Sequence, residues 1–274
     1  MRLGILTDIH ICPPGSPASG WHNPHQFASV RERLAQSLDF LNSQNLDRLV
    51  VLGDTANFGD HGSLREALAT LTRSTAPVWI IPGNHDLDER PDSLAHAIAA
   101  DGHTTIEVLD ATHRPLTTGW QVVGTGLARV GDLDYAAEPV PDIASWGDTP
   151  TLAFSHYPLL PIRENFAQAG LKYDRDLANI DAIVTPLLAR TAPTLVFHGH
   201  VHVRTLLQQA AVLQVACGAQ IESLFEATVV DLSPTGVAWQ ATNIQPIWNG
   251  TKVDLIEPRQ SWQWTGTTWS PLAG

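Results

Sequence analysis

Short apolar runs alternate with amphipathic segments along the first half of the chain. Residues 2–7, 49–52 and 78–81 are rich in leucine, isoleucine and valine, which is typical of strands buried on both faces of a sheet. Between the first two runs, apolar residues recur at steps of three and four from Phe27 to Leu41. That spacing predicts a helix with one apolar face. Buried strands separated by helices indicate an α/β fold.

The second half of the chain is more irregular and then becomes strand-like. Four further strands are predicted at 105–109, 120–125, 151–154 and 195–197. A loop rich in Gly, Asp and Pro is expected at 131–150, and a helix at 176–190 that is interrupted at Pro186. After residue 203 the pattern is that of hairpin strands, with no helix. The whole pattern predicts a four-layer αββα sandwich, in which two mixed β-sheets are flanked by helices.

Tryptophan is concentrated near the end of the chain. Five of the nine tryptophans lie there: Trp239, Trp248, Trp262, Trp264 and Trp269. We therefore expect a principal domain at 1–245 and a Trp-rich extension at 246–274 that packs on the core. A dimer interface or a lid over the substrate are the alternatives for this extension, because Trp is enriched at interfaces.

Charge and cysteine content narrow the function classes. The formal net charge is −12, and the only lysines are Lys172 and Lys252, which argues against long DNA or RNA as a partner. A small anionic substrate stays compatible, because bound cations reverse the local field of a site. No signal peptide and no membrane-length apolar run are evident. With two cysteines, Cys12 and Cys217, no disulfide framework is expected, and a cytoplasmic protein is the expectation. The oligomeric state is left open.

Five short polar blocks each follow a predicted strand. They are Asp8-Ile9-His10, Gly53-Asp54, Gly83-Asn84-His85-Asp86, the single His156, and Gly199-His200-Val201-His202. Ligands of open α/β sheets bind beyond the carboxyl ends of the strands, so these blocks are expected to converge on one edge. Their carboxylates, imidazoles and amide are the ligands that two adjacent divalent metals need, and imidazole favours Zn, Mn or Fe.

In this order the blocks resemble the signature of the calcineurin-like metallophosphoesterase superfamily: D-x-H, G-D, G-N-H-[DE], H and G-H-x-H. The resemblance covers residues 8 to 202. It implies four ligands for one metal: Asp8, His10, Asp54 and His202. It implies three ligands for a second metal that Asp54 would also bind: Asn84, His156 and His200. His85 is implied as the acid that protonates the leaving oxygen and Asp86 as the group that orients its ring, while hydroxide held between the metals attacks phosphorus.

Departures from better-known subfamilies narrow the substrate. Ser/Thr protein phosphatases and dinucleoside tetraphosphate hydrolases extend the second block to G-D-x-V-D-R-G, which is absent here, and Pro82 stands where the protein phosphatases place an arginine. Purple acid phosphatases carry a tyrosine ligand where this chain has Asn57. The remaining resemblance is to bacterial class III cyclic-nucleotide phosphodiesterases, which implies a small phosphodiester as substrate. A phosphomonoesterase or nucleotide pyrophosphatase is the alternative, and a non-catalytic scaffold with this fold is a remote one.

Several residues outside the signature are candidates for lesser roles. Three histidines follow the motif strands and either line the mouth of the site or are ordinary solvated residues: His22, His25 and His61. His198 is interpreted as a strand-end packing residue. Arg163 and Arg204 lie near motif histidines and could clamp a phosphate, although ordinary exposed or strand-face arginines are the alternative.

Overall fold

The structure, a computed structural model, describes residues 1–87, 93–173, 175–222, 225–244 and 254–272. The first eight strands are β1 (Arg2–Leu6), β2 (Arg48–Val51), β3 (Val78–Ile80), β4 (Ile106–Val108), β5 (Arg114–Pro115), β6 (Gln121–Gly124), β7 (Leu127–Arg129) and β8 (Tyr135–Ala137). The later ones are β9 (Thr151–Ser155), β10 (Thr194–His198), β11 (Thr205–Gln209), β12 (Val212–Ala216), β13 (Glu226–Ser233), β14 (Gly236–Asn243), β15 (Arg259–Trp264) and β16 (Trp269–Pro271). The helices are α1 (Val30–Asn42), α2 (His61–Leu71), α3 (Ser93–Asp101), α4 (Arg163–Gln168) and α5 (Ile180–Leu188).

Two mixed sheets contain most of the strands. The first has the order β16-β15-β14-β13-β1-β2-β3-β4; β1 to β4 are parallel, whereas β13 to β16 pair antiparallel. The second has the order β11-β12-β10-β9-β6-β5, with the antiparallel strands at its two edges. The strands β7 and β8 form a separate ribbon.

Alternation of side chains along the strands builds the layers. In β1, Leu3 and Ile5 face the core between the sheets, whereas Leu6 packs on the opposite face with the helices α1 to α3. In β10, Phe197 faces the same central core, and Val196 packs outward with the helix α5. Successive side chains of a strand point to opposite faces of its sheet, and here both faces of each sheet are buried. The four-layer αββα sandwich predicted from the sequence is confirmed.

Helix α5 differs from its sequence prediction. It begins at Ile180 and not at 176, and it continues through Pro186, where an interruption was predicted. Proline lacks the N–H that would bond to the carbonyl one turn earlier, which disfavours a helix interior. Pro186 lies close to the end of the helix, and burial of Ile183 and Leu187 against the second sheet offsets that loss. The predicted loop at 131–150 likewise contains strand β8 and one turn of 3-10 helix.

The described part of the Trp-rich extension continues the first sheet. Strand β15 pairs with β14, and β16 pairs with β15. Trp239 and Trp269 are buried in the core between the sheets, and Trp262 and Trp264 pack against that core. Trp248 lies outside the described residues. The domain boundary at 245 stays a prediction.

Helix length bears on membrane insertion. Among the described residues no helix is both long and apolar enough to cross a bilayer.

Candidate metal centre

Strand ends bring the predicted site residues together. Asp8, Asp54 and Asn84 follow the parallel neighbours β1, β2 and β3, while His156 and His200 follow the parallel neighbours β9 and β10. Backbone hydrogen bonds join the first two loops: Asp8 N donates to Gly53 O at 3.1 Å, and His10 N to Asp54 O at 2.8 Å. The convergence on one sheet edge follows from the parallel order of these strands.

The loops that carry these side chains hold unusual backbone conformations. Five of the predicted ligands have positive φ: Asp8 (53°), His10 (54°), Asp54 (51°), His200 (67°) and His202 (57°). Such conformations cost roughly 1–3 kcal/mol each in non-glycine residues and persist only where the surroundings enforce them, often at functional sites. A Cβ at Gly199 would lie 1.9 Å from Thr7 Oγ1, and one at Gly83 would lie 2.2 Å from Asp54 N. Glycine at these two positions therefore lets the loops approach each other.

One group of donor atoms surrounds Asp8. Its carboxylate Oδ1 lies 3.3 Å from His202 Nε2, and the ligand atoms of Asp8, His10 and His202 all lie within 4.8 Å of one another. His10 Nε2 lies 3.5 Å from Asp54 Oδ2. All four side chains are buried, at most 6% exposed.

A second group of donor atoms lies on the other side of Asp54. His156 Nε2 is 3.3 Å from Asp54 Oδ2 and 3.1 Å from Asn84 Oδ1. Ligand atoms of Asp54, His156 and His200 lie within 4.8 Å of one another. The same Asp54 oxygen thus faces a histidine of each group. The structure thus brings the seven predicted ligands together, and their role as metal ligands stays a prediction.

The outer nitrogens of three histidines are held in place. Nδ1 of His10 donates to Asn57 Oδ1 at 2.9 Å, that of His156 to Leu52 O at 2.7 Å, and that of His202 to Glu222 Oε1 at 2.9 Å. Each bond turns the Nε2 lone pair of its ring inward, as in histidines that bind metals. His10 Nε2 is buried and has no hydrogen-bond partner among the described residues. It faces a carboxylate oxygen, so a cation between the two satisfies both.

Burial and charge set the protonation of this cluster. Burial acts to lower the pKa of His156, but Asp54 and Asp8 outweigh it and raise the pKa to about 9. Burial likewise opposes the effect of Asp8 and Glu222 on His202, whose pKa rises to about 10. Burial lowers the pKa of His10 and His200 well below the usual value, so both rings are neutral. Neutral imidazoles beside carboxylates that attract positive charge form a donor set that fits divalent cations, which then compete with the protons.

The contacts of His85 and Asp86 correct one expectation. Asp86 was expected to orient the His85 ring, but Nδ1 of that ring donates to Asn57 O at 2.6 Å. The Asp86 carboxylate accepts instead from Ala56 N and from Gly83 N, both at 2.9 Å. Because these two amides are close to the carboxylate and Asp86 is fully buried, it ties the second and third motif loops together. Asp86 is thus a loop-positioning residue.

Of the four histidines considered outside the signature, two lie at the site and two do not. His22 and His25 lie at the site: the His25 ring is 5.5 Å from those of His10 and His202, and His22 stacks on Trp21 at 4.8 Å. His61 instead begins helix α2. His198 is buried, and its Nδ1 donates to Gly199 O, which suits a packing role.

The two candidate arginines have partners of their own. Arg204 is buried and pairs with Glu226 at 2.6 Å and with Asp254 at 2.7 Å, so its guanidinium is not directed at a phosphate. Arg163 is exposed and lies 3.6 Å from Asp176.

Sequence reasoning missed Glu222 altogether. It lies in no motif, yet its buried carboxylate accepts from both His202 Nδ1 and Asn23 Nδ2. No local sequence pattern predicts this role, because both partners of Glu222 come from loops that are distant in the sequence. Asn57, noticed only as a departure from another subfamily, holds both the His10 and His85 rings.

Replacement of Glu222 by glutamine is expected to weaken metal binding about tenfold, a usual effect of losing a carboxylate behind a ligating histidine. The amide keeps the size and the acceptor oxygen but removes the charge that makes His202 a stronger donor. Isothermal titration of the metal-depleted protein with Mn²⁺ measures the change. The matched control is Glu66→Gln, which alters an exposed carboxylate paired with Arg31. Equal affinity of both variants and the parent would show that Glu222 does not support the ligand.

Comparisons with known proteins agree with this geometry. A family model described as calcineurin-like phosphoesterase matches residues 1–204. A probable cyclic nucleotide phosphodiesterase of Rhodopseudomonas palustris is 23% identical over 215 residues, covering 74% of this chain and 72% of that protein. A glycerophosphodiester phosphodiesterase of Enterobacter lignolyticus is 27% identical over 179 residues, covering 59% of this chain and 58% of that protein.

Solved structures show the same fold. A dimetal phosphatase from Danio rerio superposes with a TM-score of 0.67 at 12% identity, and the match covers 89% of this chain and 96% of that one. At this identity the likeness is one of fold. Together with the family match over residues 1–204, it shows that the chain belongs to the calcineurin-like phosphoesterase family, metal-dependent hydrolases that act on phosphoester bonds.

Proposed function

We propose that the protein is a dinuclear metal-dependent phosphodiesterase that hydrolyses a small phosphodiester such as a cyclic nucleotide. The observation that carries the proposal is the position of Asp54, whose Oδ2 faces His10 Nε2 at 3.5 Å on one side and His156 Nε2 at 3.3 Å on the other. A carboxylate between two groups of imidazole, carboxylate and amide donors is an arrangement that can bridge two cations.

The proposed ligands fall into two sets that share Asp54. One set is Asp8, His10, Asp54 and His202. The other is Asp54, Asn84, His156 and His200. Divalent Mn, Fe or Zn at these sets would supply acidification of water and neutralisation of phosphoryl charge. The chain itself holds both sets in place, since backbone hydrogen bonds join the ligand-bearing loops.

His85 is proposed as the general acid. Its Nδ1 donates to Asn57 O at 2.6 Å, which fixes the ring, and Nε2 is the nitrogen proposed to carry the transferable proton. The side chain also lines the cavity that opens beside Asn84 and His200. In the reaction, the attacking water releases one proton to solvent as its oxygen bonds to phosphorus. The bond from phosphorus to the leaving oxygen breaks, that oxygen takes the proton from Nε2, and the ring regains a proton from solvent for the next turnover.

A diester is favoured over a monoester by the surroundings of the site. The adjoining cavity, about 300 Å³, has aromatic walls that suit an organic ester group. The relatives from Rhodopseudomonas palustris and Enterobacter lignolyticus are both named phosphodiesterases. Long nucleic acid is an unsuitable substrate for a chain with a formal net charge of −12. Two buried cysteines that are not joined, Cys12 and Cys217, support the proposal of a cytoplasmic location.

The test is a substrate panel with the Mn-loaded protein. We expect kcat/KM for bis(4-nitrophenyl) phosphate to exceed that for 4-nitrophenyl phosphate by about tenfold or more, since the site then favours the diester transition state. Cyclic AMP and a pyrophosphate-linked dinucleotide complete the panel. A monoester or a pyrophosphate preferred over every diester would establish the alternative activities and overturn the proposal. No turnover of any substrate would indicate a non-catalytic scaffold.

A further inference from the structure

A cavity of about 300 Å³ opens directly beside the second set of proposed ligands. Its inner end is formed by Asn84, His85 and His200. A ligand that fills it therefore touches the proposed acid and two proposed ligands. The cavity is the natural position for the alcohol that leaves when the phosphoester bond breaks, because His85 must reach the oxygen of that alcohol.

Trp21 is held over this cavity with an uncovered face. Its indole is 39% exposed, the one exposed tryptophan among those the structure describes. Its ring lies 5.4 Å from that of His200 and 5.6 Å from that of His202. The His22 ring stacks on one side of the indole at 4.8 Å. Because exposed apolar area is costly, the part of Trp21 that stays exposed beside the proposed ligand histidines indicates a contact surface for a ligand.

The loop that carries Trp21 is anchored to the core. Trp21 N donates to Asn23 O at 3.2 Å, and Asn23 Nδ2 donates to Glu222 Oε2 at 2.8 Å. Gln26 N donates to Ile221 O at 2.8 Å. The indole is therefore positioned before any ligand arrives, which lowers the entropy lost on binding.

Two tyrosines continue the aromatic wall. The ring of Tyr157 stacks on that of His200 at 3.8 Å, and Tyr173 meets the same histidine edge-on at 6.1 Å. Both are buried, and both line the cavity. Flat walls of this kind bind a planar unsaturated ring better than a flexible polyol.

The charged side chains that line the cavity favour ligands of one charge sign. Lys172 lines the cavity and makes no hydrogen bond or ion pair with the described residues. Arg175 also lines it, with its guanidinium 3.2 Å from the Asp134 carboxylate. An unpaired ammonium in a chain of formal net charge −12 attracts an anion. It also repels a quaternary ammonium alcohol such as choline, which aromatic walls alone would accept.

We infer that the cavity binds a leaving alcohol built on a planar unsaturated ring that bears a negative charge, with Trp21 against the ring and Lys172 facing the charge. The inference rests on the proposed phosphodiesterase function and names the substrate class of that site: a diester of such an alcohol in place of a cyclic nucleotide, whose leaving oxygen belongs to a saturated sugar. Trp21 and Lys172 are then specificity-determining residues outside the metal-ligand signature.

Two matched substrates test the inference. Methyl 4-nitrophenyl phosphate and methyl 3-carboxy-4-nitrophenyl phosphate both release a coloured phenolate, and they differ in one carboxylate on the leaving ring. Lys172→Met keeps an unbranched apolar stem and removes the charge, whereas Lys172→Arg keeps the charge. Arg73→Met is the control, because it removes an exposed cation that does not line the cavity. For each ester, the KM and kcat of a variant are divided by those of the parent protein. This ratio cancels the difference in intrinsic reactivity between the two esters.

We expect Lys172→Met to raise KM for the carboxylated ester about fivefold, which is the effect of losing one exposed ion pair. The kcat for that ester and the KM for the uncharged ester should stay within about twofold of the parent values. Lys172→Arg restores the parent KM, and Arg73→Met changes neither ester. Trp21→Ala raises KM for both esters about tenfold, and Trp21→Phe recovers most of that loss. Equal effects of Lys172→Met on both esters, or no effect on either, would overturn the inference while leaving the phosphodiesterase function intact. If the metal-loaded parent hydrolyses neither ester, the proposed function and the inference fail together.

Discussion

Replacement of Asp54 by asparagine is expected to reduce bound metal from two ions per chain to at most one and to lower turnover by about three orders of magnitude or more, because both proposed cations would depend on this carboxylate. Asp54 Oδ2 faces His10 Nε2 and His156 Nε2, one from each proposed ligand set. Asn has the same shape, so the loops keep their packing, but a neutral amide cannot bridge two cations. The histidines would then face an uncharged group in a fully buried site.

Elemental analysis and turnover of bis(4-nitrophenyl) phosphate on the same preparation measure both effects. The control is Asp39→Asn, which removes an exposed carboxylate paired with Arg73. The control should keep the metal content and activity of the parent. An Asp54→Asn protein with two ions and unchanged turnover would show that Asp54 does not bridge.

The second large effect is expected at His85. His85→Ala should lower turnover by about two to four orders of magnitude when the leaving alcohol is a poor one, the range for a positioned general acid. The same substitution should lower turnover far less for an ester of 4-nitrophenol, because 4-nitrophenolate can leave without taking up a proton. Metal content should stay at the parent value, since His85 is not among the proposed ligands.

Turnover of methyl phenyl phosphate and of methyl 4-nitrophenyl phosphate gives the two leaving groups. His96→Ala is the control, because that exposed histidine lies on helix α3 and belongs neither to the proposed ligand sets nor to the lining of the cavity. A donor atom of His85 lies within 4.8 Å of donor atoms of His10 and Asp54, so the ring is close enough to bind a metal. Loss of metal from His85→Ala would therefore show that His85 is a ligand and not an acid. Equal losses for the two leaving groups would exclude the role of acid.

The sequence was sufficient for the fold and for the identity of the converging residues. The runs in β1 and β10 are continuously apolar, which indicates from the letters alone that both faces of each strand are buried. The motif residues follow apolar runs, and parallel strands bring their carboxyl ends to one edge. Asp8 and His200 thus lie together although they come from opposite ends of the motif set.

What the sequence could not give is the set of contacts made between distant loops. Glu222 meets His202 and Asn23 because a turn after β12 passes beneath the loop at 19–26, and no local pattern encodes that meeting. Asp86 was misread for the same reason. Its neighbour in sequence is His85, yet the amides of Ala56 and Gly83 are better placed to bond to its carboxylate. Side-chain partners depend on tertiary geometry, whereas strand and helix type depend mostly on local pattern.

The positive φ angles were also invisible in the letters. Asp, and to a lesser degree His, tolerate the left-handed region, but they adopt it here at five predicted ligand positions at once. The strain is sustained by the packing of the loops, including the close approach of Gly199 to Thr7 and of Gly83 to Asp54. A rigid and strained cradle aims its donors before any cation is bound, which is the purpose such strain serves at metal sites.

The most direct measurement of the central claim is anomalous diffraction from crystals of the Mn-loaded protein, recorded above and below the Mn absorption edge. Two peaks of similar height are expected, about 3.5–4 Å apart, as in other two-metal sites. One peak should lie among Asp8, His10, Asp54 and His202, and the other among Asp54, Asn84, His156 and His200. A single peak, or two peaks that do not share Asp54, would contradict the account.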